Sequence, residues 1–343
     1  MTKRRNSLNM PEVSRRSVLR GGLMGLAAAG AGSAVFRSSS VLAQQNLQWG
    51  SSSIGSTGYV IMEGLANTVN RHSDLRNASM ATSGGTENMQ LFSEGIIQFG
   101  QTTSTDWKPA SEGQAPYPQP IEVHQMFAYT LFNCTPMVRA DSDIETLDDL
   151  RGRRCMPSPA GSSTATMWRV LFEAAGIQDD VEWTYGSWRE TYDALRGEAV
   201  DCIPSLLTNG RPAPILSELS ATVPVRALPV SDEILARARE MNPGVARGEI
   251  PGGVVPGIDS TVAAASFSGV LAASPNVEAD VAYEVMKAIF ENEEDVRGLG
   301  VQFQDIGLPF GTDYLVAGFP VHKGAARYLK ERGAWHDGLT EAS

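Results

Sequence analysis

Three short turns rich in glycine and hydroxyl side chains each stand directly before a helical pattern: "SIGSTGY" (53–59), "TSGGTEN" (82–88) and "SPAGSST" (158–164). The first turn of a helix leaves amides without intrahelical partners, and the macrodipole makes that end electropositive. Glycine lets the backbone approach a bound group, and Ser and Thr add rotatable donors. Together these features make an anion site that needs no cation. A Ser or Thr in such a place also serves as a plain N-cap, so one turn alone is ambiguous. Three of them point to a ligand.

Cations near the same segments are Arg139, Arg169, Arg189 and Arg211. In "PSLLTNGRPAP" Arg211 follows the end of a predicted strand, where its guanidinium would fork onto a carboxylate; a solvated surface arginine is the competing reading. Tyr59, Trp107, Trp168, Tyr185 and Trp188 lie at or near these edges and would either wall a pocket or pack in the core. Catalytic constellations are missing. His72, His124, His322 and His336 are scattered, with no H-E-x-x-H and no cysteines at metal-ligand spacing. There is no G-x-S-x-G elbow and no G-x-x-x-x-G-K-[ST] loop. The expectation is a protein that binds an anion without transforming it, using neither metal nor cofactor.

The elements that must position these turns repeat one plan twice. Strand "LQWGSSS" leads to the first turn and to helix "YVIMEGLANTVNRH", where Ile61, Leu65 and Val69 share a face. Strand "RNASMAT", the second turn, a short helix "MQLFSEG" and strand "IIQFGQT" follow. After residue 152 the order recurs: strand "RRCMPS", the third turn, helix "TATMWRVLFEAAG", strand "VEWTYG", helix "SWRETYDALRGE" and strand "AVDCIPSLL". Each half is βαβαβ, the pattern of an open parallel sheet that binds ligands beyond the carboxyl ends of its strands. Long apolar strands at 124–142 and 260–274 would carry the chain between the halves. We expect lobe 1 from 44–135 plus 264–343 and lobe 2 from 136–263. The segments 108–120 and 241–253 read as surface loops.

The amino terminus reads as an address. Residues 1–43 begin basic, carry "SRRSVLR" with Arg15 and Arg16, continue apolar from Gly21 to Phe36 and end in "VLA" before Gln44. This resembles a twin-arginine export signal, with Val18 where an aromatic is usual; an ordinary secretory signal is the competing reading. The segment holds seven basic residues and one acid, so its removal takes the net charge from −11 to −17. An acidic chain argues against nucleic-acid or anionic-membrane partners. Cys134, Cys155 and Cys202 form no C-x-x-C and lie in apolar runs, as buried thiols do.

The run of "TSGGTENMQLFSEG", "VRADSDIETLDDLRGRR", "SPAGSSTA", "ALRGEAVDCIPS" and the closing "FPVHKGAARYLKERGAW" (319–335) resembles the TAXI-type solute receptors of TRAP transporters. The resemblance implies a type II periplasmic-binding-protein fold: two α/β lobes, with parallel-rich sheets, on a two-strand hinge. It implies a soluble periplasmic receptor that hands a small carboxylate, glutamate-like or 2-oxoglutarate-like, to TRAP membrane subunits. By that likeness Thr57, Gly58, Tyr59, Thr86, Asn88, Gly161, Ser162, Ser163 and Thr164 correspond to ligand-binding positions, with Arg211 as an added cation. The same fold also serves receptors of ABC importers and sensors. In "QTTSTD" Thr103 stands where the family commonly has an acid. Unless Asp106 or Glu87 substitutes, this leans towards an organic acid without an amine.

Overall fold

Residues 46–343 are described by a computed structural model; the expected export signal lies outside them. Apolar spacing dictates the first elements. Strand β1 (Asn46–Gly50) precedes helix α1 (Thr57–His72), whose Ile61, Met62, Leu65 and Val69 recur on one face and are fully buried. β2 (Arg76–Met80), α2 (Gly85–Ser93), β3 (Phe99–Thr103) and α3 (Ser104–Glu112) complete the first group. The long strand β4 (His124–Arg139) follows. β5 (Arg154–Cys155), α4 (Ser163–Ala175), β6 (Glu182–Trp183), α5 (Trp188–Arg196) and β7 (Cys202–Thr208) then repeat the plan.

Short elements β8 (Arg211–Pro212), α6 (Pro214–Ser220), β9 (Val225–Ala227), α7 (Asp232–Met241) and β10 (Ala246–Ile250) extend the second group. The second long strand, β11 (Val262–Ala273), leads to α8 (Ala279–Phe290), α9 (Glu293–Gly298), α10 (Leu308–Asp313), β12 (Pro320–Val321), α11 (Lys323–Glu331) and β13 (Thr340–Glu341).

One curled, mixed sheet runs through both groups in the order β2-β1-β3-β11-β4-β7-β5-β6. β1 is parallel to β2 and β3, and β5 is parallel to β6 and β7. β11 and β4 pair antiparallel between the two parallel sets, β11 joining β3 and β4 joining β7. Gly269–Ala273 of β11 pair with β3, while Val262–Ser266 pair with β10. Their mutual register slips at Gly269/Val270 and again at Leu271/Ala272. Such bulges bend a strand and sharpen its twist.

Two segments read as loops are structured. α3 continues through Lys108–Glu112, with Trp107, Pro109 and Ala110 buried against the sheet. Hydroxyl residues at its start and a proline in its middle hide the helical pattern, but burial of Trp107 outweighs the cost of one missing backbone bond. In 241–253, Ala246–Ile250 forms strand β10 on β11. Asn242 and Gly244 there tie back to α3: Asn242 Nδ2 donates to the Thr105 carbonyl at 2.8 Å, and Ser104 Oγ to the Gly244 carbonyl at 2.6 Å. The three cysteines are buried and unpaired.

Candidate functional site

The starts of α1 and α4 face one cavity between the two groups. It is lined by Ser52 after β1, Gly55, Ser56, Thr57 and Gly58 from the first turn, Gly84 from the second, and Ser162, Ser163 and Thr164 from the third. Gln101 and Thr103 at the end of β3 and Thr208 at the end of β7 add polar groups. Phe132, Leu206 and Phe267 form an apolar floor, and Trp188, Tyr192 and Ile215 a side wall. Phe132 and Phe267 are register partners on β4 and β11, with ring centroids 5.2 Å apart.

Local capping leaves the cavity-facing amides free. Ser56 Oγ accepts from the Tyr59 amide at 3.2 Å, and the Ser56 carbonyl takes the Val60 amide. Ser162 Oγ accepts from the Ala165 amide at 3.1 Å, and its carbonyl takes that of Thr166. Among the described residues no hydrogen bond uses the amides of Thr57, Gly58, Ser163 or Thr164, and all four residues line the cavity. Neither helix has an acid in its first turn. Each end carries roughly half a positive charge, so the two together approach one.

Two backbone details hold these ends in place. An added Cβ on Gly58 would sit 1.8 Å from Gln101 Oε1, so only glycine lets the Gln101 amide lie on the α1 start. Ser158, buried in the third turn, has φ of 130°, a strained value for a residue with a Cβ; its hydroxyl meets that of Ser162 at 2.5 Å.

The second turn does different work. Thr86 is buried, its hydroxyl donating to Asp106 Oδ1 at 3.0 Å and meeting the Thr166 hydroxyl at 2.8 Å. Asn88 Nδ2 donates to the carbonyls of Gly50, Ser51 and Gln101, bracing the ends of β1 and β3. Neither side chain lines the cavity. Gly161 carbonyl accepts from the Glu87 amide at 3.1 Å, and Tyr59 stands half-buried outside the lining. These contacts, with Ser163 Oγ donating to Asp106 Oδ2 at 2.6 Å, join α2 and α3 to the start of α4.

Asp106 is the hub of that junction. It is fully buried and also accepts from the Thr103 amide at 2.8 Å and the Thr103 hydroxyl at 3.1 Å. Burial pushes its carboxyl above the usual range, while the bonds from Ser163, Thr103 and Thr86 pull it back. Neither Asp106 nor Glu87 reaches the cavity, since Glu87 Oε2 accepts from the Ser83 amide at 2.6 Å. Among the described residues no acid therefore lines it.

Arg211 lies elsewhere. Its guanidinium bonds Asp305 Oδ2 at 2.5 Å, and it borders a neighbouring surface depression rather than the cavity. β8 pairs Arg211 with Thr208 at the end of β7, and the guanidinium reaches Asp305 instead of the cavity. Arg169 bonds the Tyr185 hydroxyl, and Arg139 pairs with Asp141. Of the five aromatics singled out, Trp188 lines the cavity; Trp107 and Trp168 are core. Gln101, Phe132, Leu206, Thr208 and Phe267 escaped the sequence reading, because strand residues facing a cleft look like strand residues facing a core; Ser52 after β1 and Tyr192 on α5 escaped it as well. Among the described residues no cluster of His, Cys, Asp or Glu could hold a metal, and no helix is long and apolar enough to cross a membrane.

Parallel-rich βα groups joined through two long antiparallel strands, with helix starts facing a shared cavity, define the periplasmic-binding-protein fold. The chain belongs to the NMT1-like family, whose model matches residues 49–333. Among solved structures, a protein of Bordetella bronchiseptica RB50 is similar with a TM-score of 0.50 and 16% identity, over 87% of this chain and 84% of that one. XAC2383 from Xanthomonas citri, solved bound to ATP, matches at 0.49 and 12% identity, over 84% and 95% of the two chains. The periplasmic aliphatic sulphonate binding protein SsuA from Escherichia coli matches at 0.40 and 16%, over 76% and 74%.

Proposed function

We propose that the protein is an extracytoplasmic solute-binding receptor that captures a small carboxylate in this cavity and delivers it to a membrane importer. One observation carries the reading: four amides without protein partners, from two helix starts on opposite sides, converge on one cavity. A carboxylate has two oxygens with about four acceptor sites, matching four donors.

The receptor works by closure. The two βα groups act as lobes, and β4 and β11, bulged where they pass from one to the other, act as the hinge. Asp106–Ser163, Thr86–Thr166 and Glu87–Gly161 form a latch across the lobes. A solute bridging both helix starts favours the closed form by the difference in its affinity for the two forms. On this reading the solute leaves unchanged.

Motif order favours a TRAP-type importer, driven by an ion gradient. The same receptor architecture suits an ABC importer, driven by ATP. Melting curves of the purified chain with a panel of organic acids test the receptor reading: a ligand at ~100 times its dissociation constant adds about 2.7 kcal/mol. No shift with any organic anion contradicts it. Uptake by vesicles carrying the cognate membrane subunits separates the importers. Dependence on an imposed ion gradient is expected; dependence on internal ATP assigns the ABC type instead.

A further inference from the structure

Resting on the receptor reading, we infer that the solute is a short monocarboxylate with an apolar body, carrying neither an ammonium group nor a second charge. Among the described residues no Lys, Arg, His, Asp or Glu lines the cavity. The positive end-charge of α1 and α4 together approaches one unit, enough for one carboxylate. A dicarboxylate would leave its second anion against Phe132, Leu206 and Phe267, with Arg211 already engaged by Asp305. An amino acid would bury its ammonium without an acid to meet it, since the buried Asp106 carboxyl is saturated by Thr86, Thr103 and Ser163. Burying an unpaired charge is far costlier than burying a methylene is helpful.

Independently of the helix starts, Gln101 is aimed at a ligand. It lines the cavity and is 6% exposed, with its Oε1 lying beside Gly58 and its Nε2 donating to no group among the described residues. An amide N–H of this kind is a donor suited to a carboxylate oxygen. Lying on the α1 start beside Gly58, it reaches the place where a head group held by the Thr57 and Gly58 amides would sit.

The cavity also limits length. Its volume is ≈ 50 Å³, room for about three to five waters at about 10–15 Å³ each. A straight or branched chain of about three to six carbons occupies comparable room. The floor from β4, β7 and β11 is apolar, so each methylene added within that room tightens binding by about fourfold.

Isothermal titration of the purified chain with propionate, isobutyrate, isovalerate, succinate, 2-oxoglutarate and glutamate tests the inference. The expected result is binding that strengthens from propionate to isovalerate, with the other three at least ~10-fold weaker than the best monocarboxylate. Succinate, 2-oxoglutarate or glutamate binding more tightly than every monocarboxylate overturns the inferred class and leaves the receptor reading standing. Equal affinity along the monocarboxylate series removes the apolar floor from the site and overturns it as well. Heat from none of the six removes both readings together.

Discussion

Thr164 and Arg211 make opposite predictions at the residue scale. The Thr164 hydroxyl has no partner among the described residues and borders the cavity. Removing it in Thr164→Ala is expected to weaken solute binding by about 0.5–1.5 kcal/mol, while the melting temperature of the unliganded chain stays close to the parent's. Arg211 pairs with Asp305 on a half-exposed surface, where an ion pair contributes about 0–1 kcal/mol. Titration of Arg211→Ala should therefore return the parental affinity within about twofold. A tenfold loss would return the guanidinium to the site. Of the residues that sequence order singles out, Thr57, Gly58, Ser162, Ser163 and Thr164 border the cavity. Helix-entrance chemistry is local, so consecutive residues reveal it. Gln101 was invisible for the opposite reason: its role depends on Gly58, 43 positions away along the chain, leaving room for its amide.

At the scale of elements, the closing helix α11 shows how a motif residue can serve the fold. His322 caps it: the Gly324 amide donates to Nδ1 at 3.2 Å, and Nε2 donates to the Val277 carbonyl at 3.0 Å. The ring must stay neutral to accept that amide. Burial, helped by nearby His124 and by Lys323, brings its pKa down from 6.5 to about 4. Between those values the unfolded chain binds the extra proton and the native one does not. The stabilisation is complete above pH 6.5 and is lost as pH falls to about 4, on the order of 3 kcal/mol in all. Calorimetric melting of the parent and of His322→Asn, which retains a capping oxygen, should show a shallower pH slope in the variant across this window. Identical slopes would mean that the ring titrates normally in the folded state. Helices α1, α4, α8 and α11 were legible because their apolar faces repeat every three or four residues. Helix α3 and strand β10 were not: Pro109 and the serine and threonine run hide the first, and Gly248 with alternating charges hides the second.

For the whole molecule, the second turn changes meaning. Its glycines permit contact between the two βα groups: a Cβ on Gly85 would fall 2.3 Å from both Asp106 Oδ2 and Ser163 Oγ. On the receptor reading proposed above, the turn serves closure more than capture. Asp106→Asn replaces the hub of the latch without altering the cavity lining. It should lower solute affinity by about 1–3 kcal/mol, the range for a hydrogen bond to a charged or buried partner. Small-angle scattering should show the parent contracting when solute is added, and the variant requiring more solute for the same contraction. Equal solute dependence in the two proteins would separate the Asp106 cluster from closure. The sequence could show two βαβαβ halves and the strands between them, since these follow from element order. It could not show which turn faces the solute and which faces the other lobe, because both tasks select glycine and hydroxyl residues.

The most direct measurement is a crystal structure of the chain with the tightest-binding carboxylate from the titration panel. The account predicts carboxylate oxygens at about 2.7–3.2 Å from the amides of Thr57, Gly58, Ser163 and Thr164, with the carbon chain on Phe132 and Phe267. A solute seated outside this cavity, or held by side-chain cations while those four amides bond water, would contradict it.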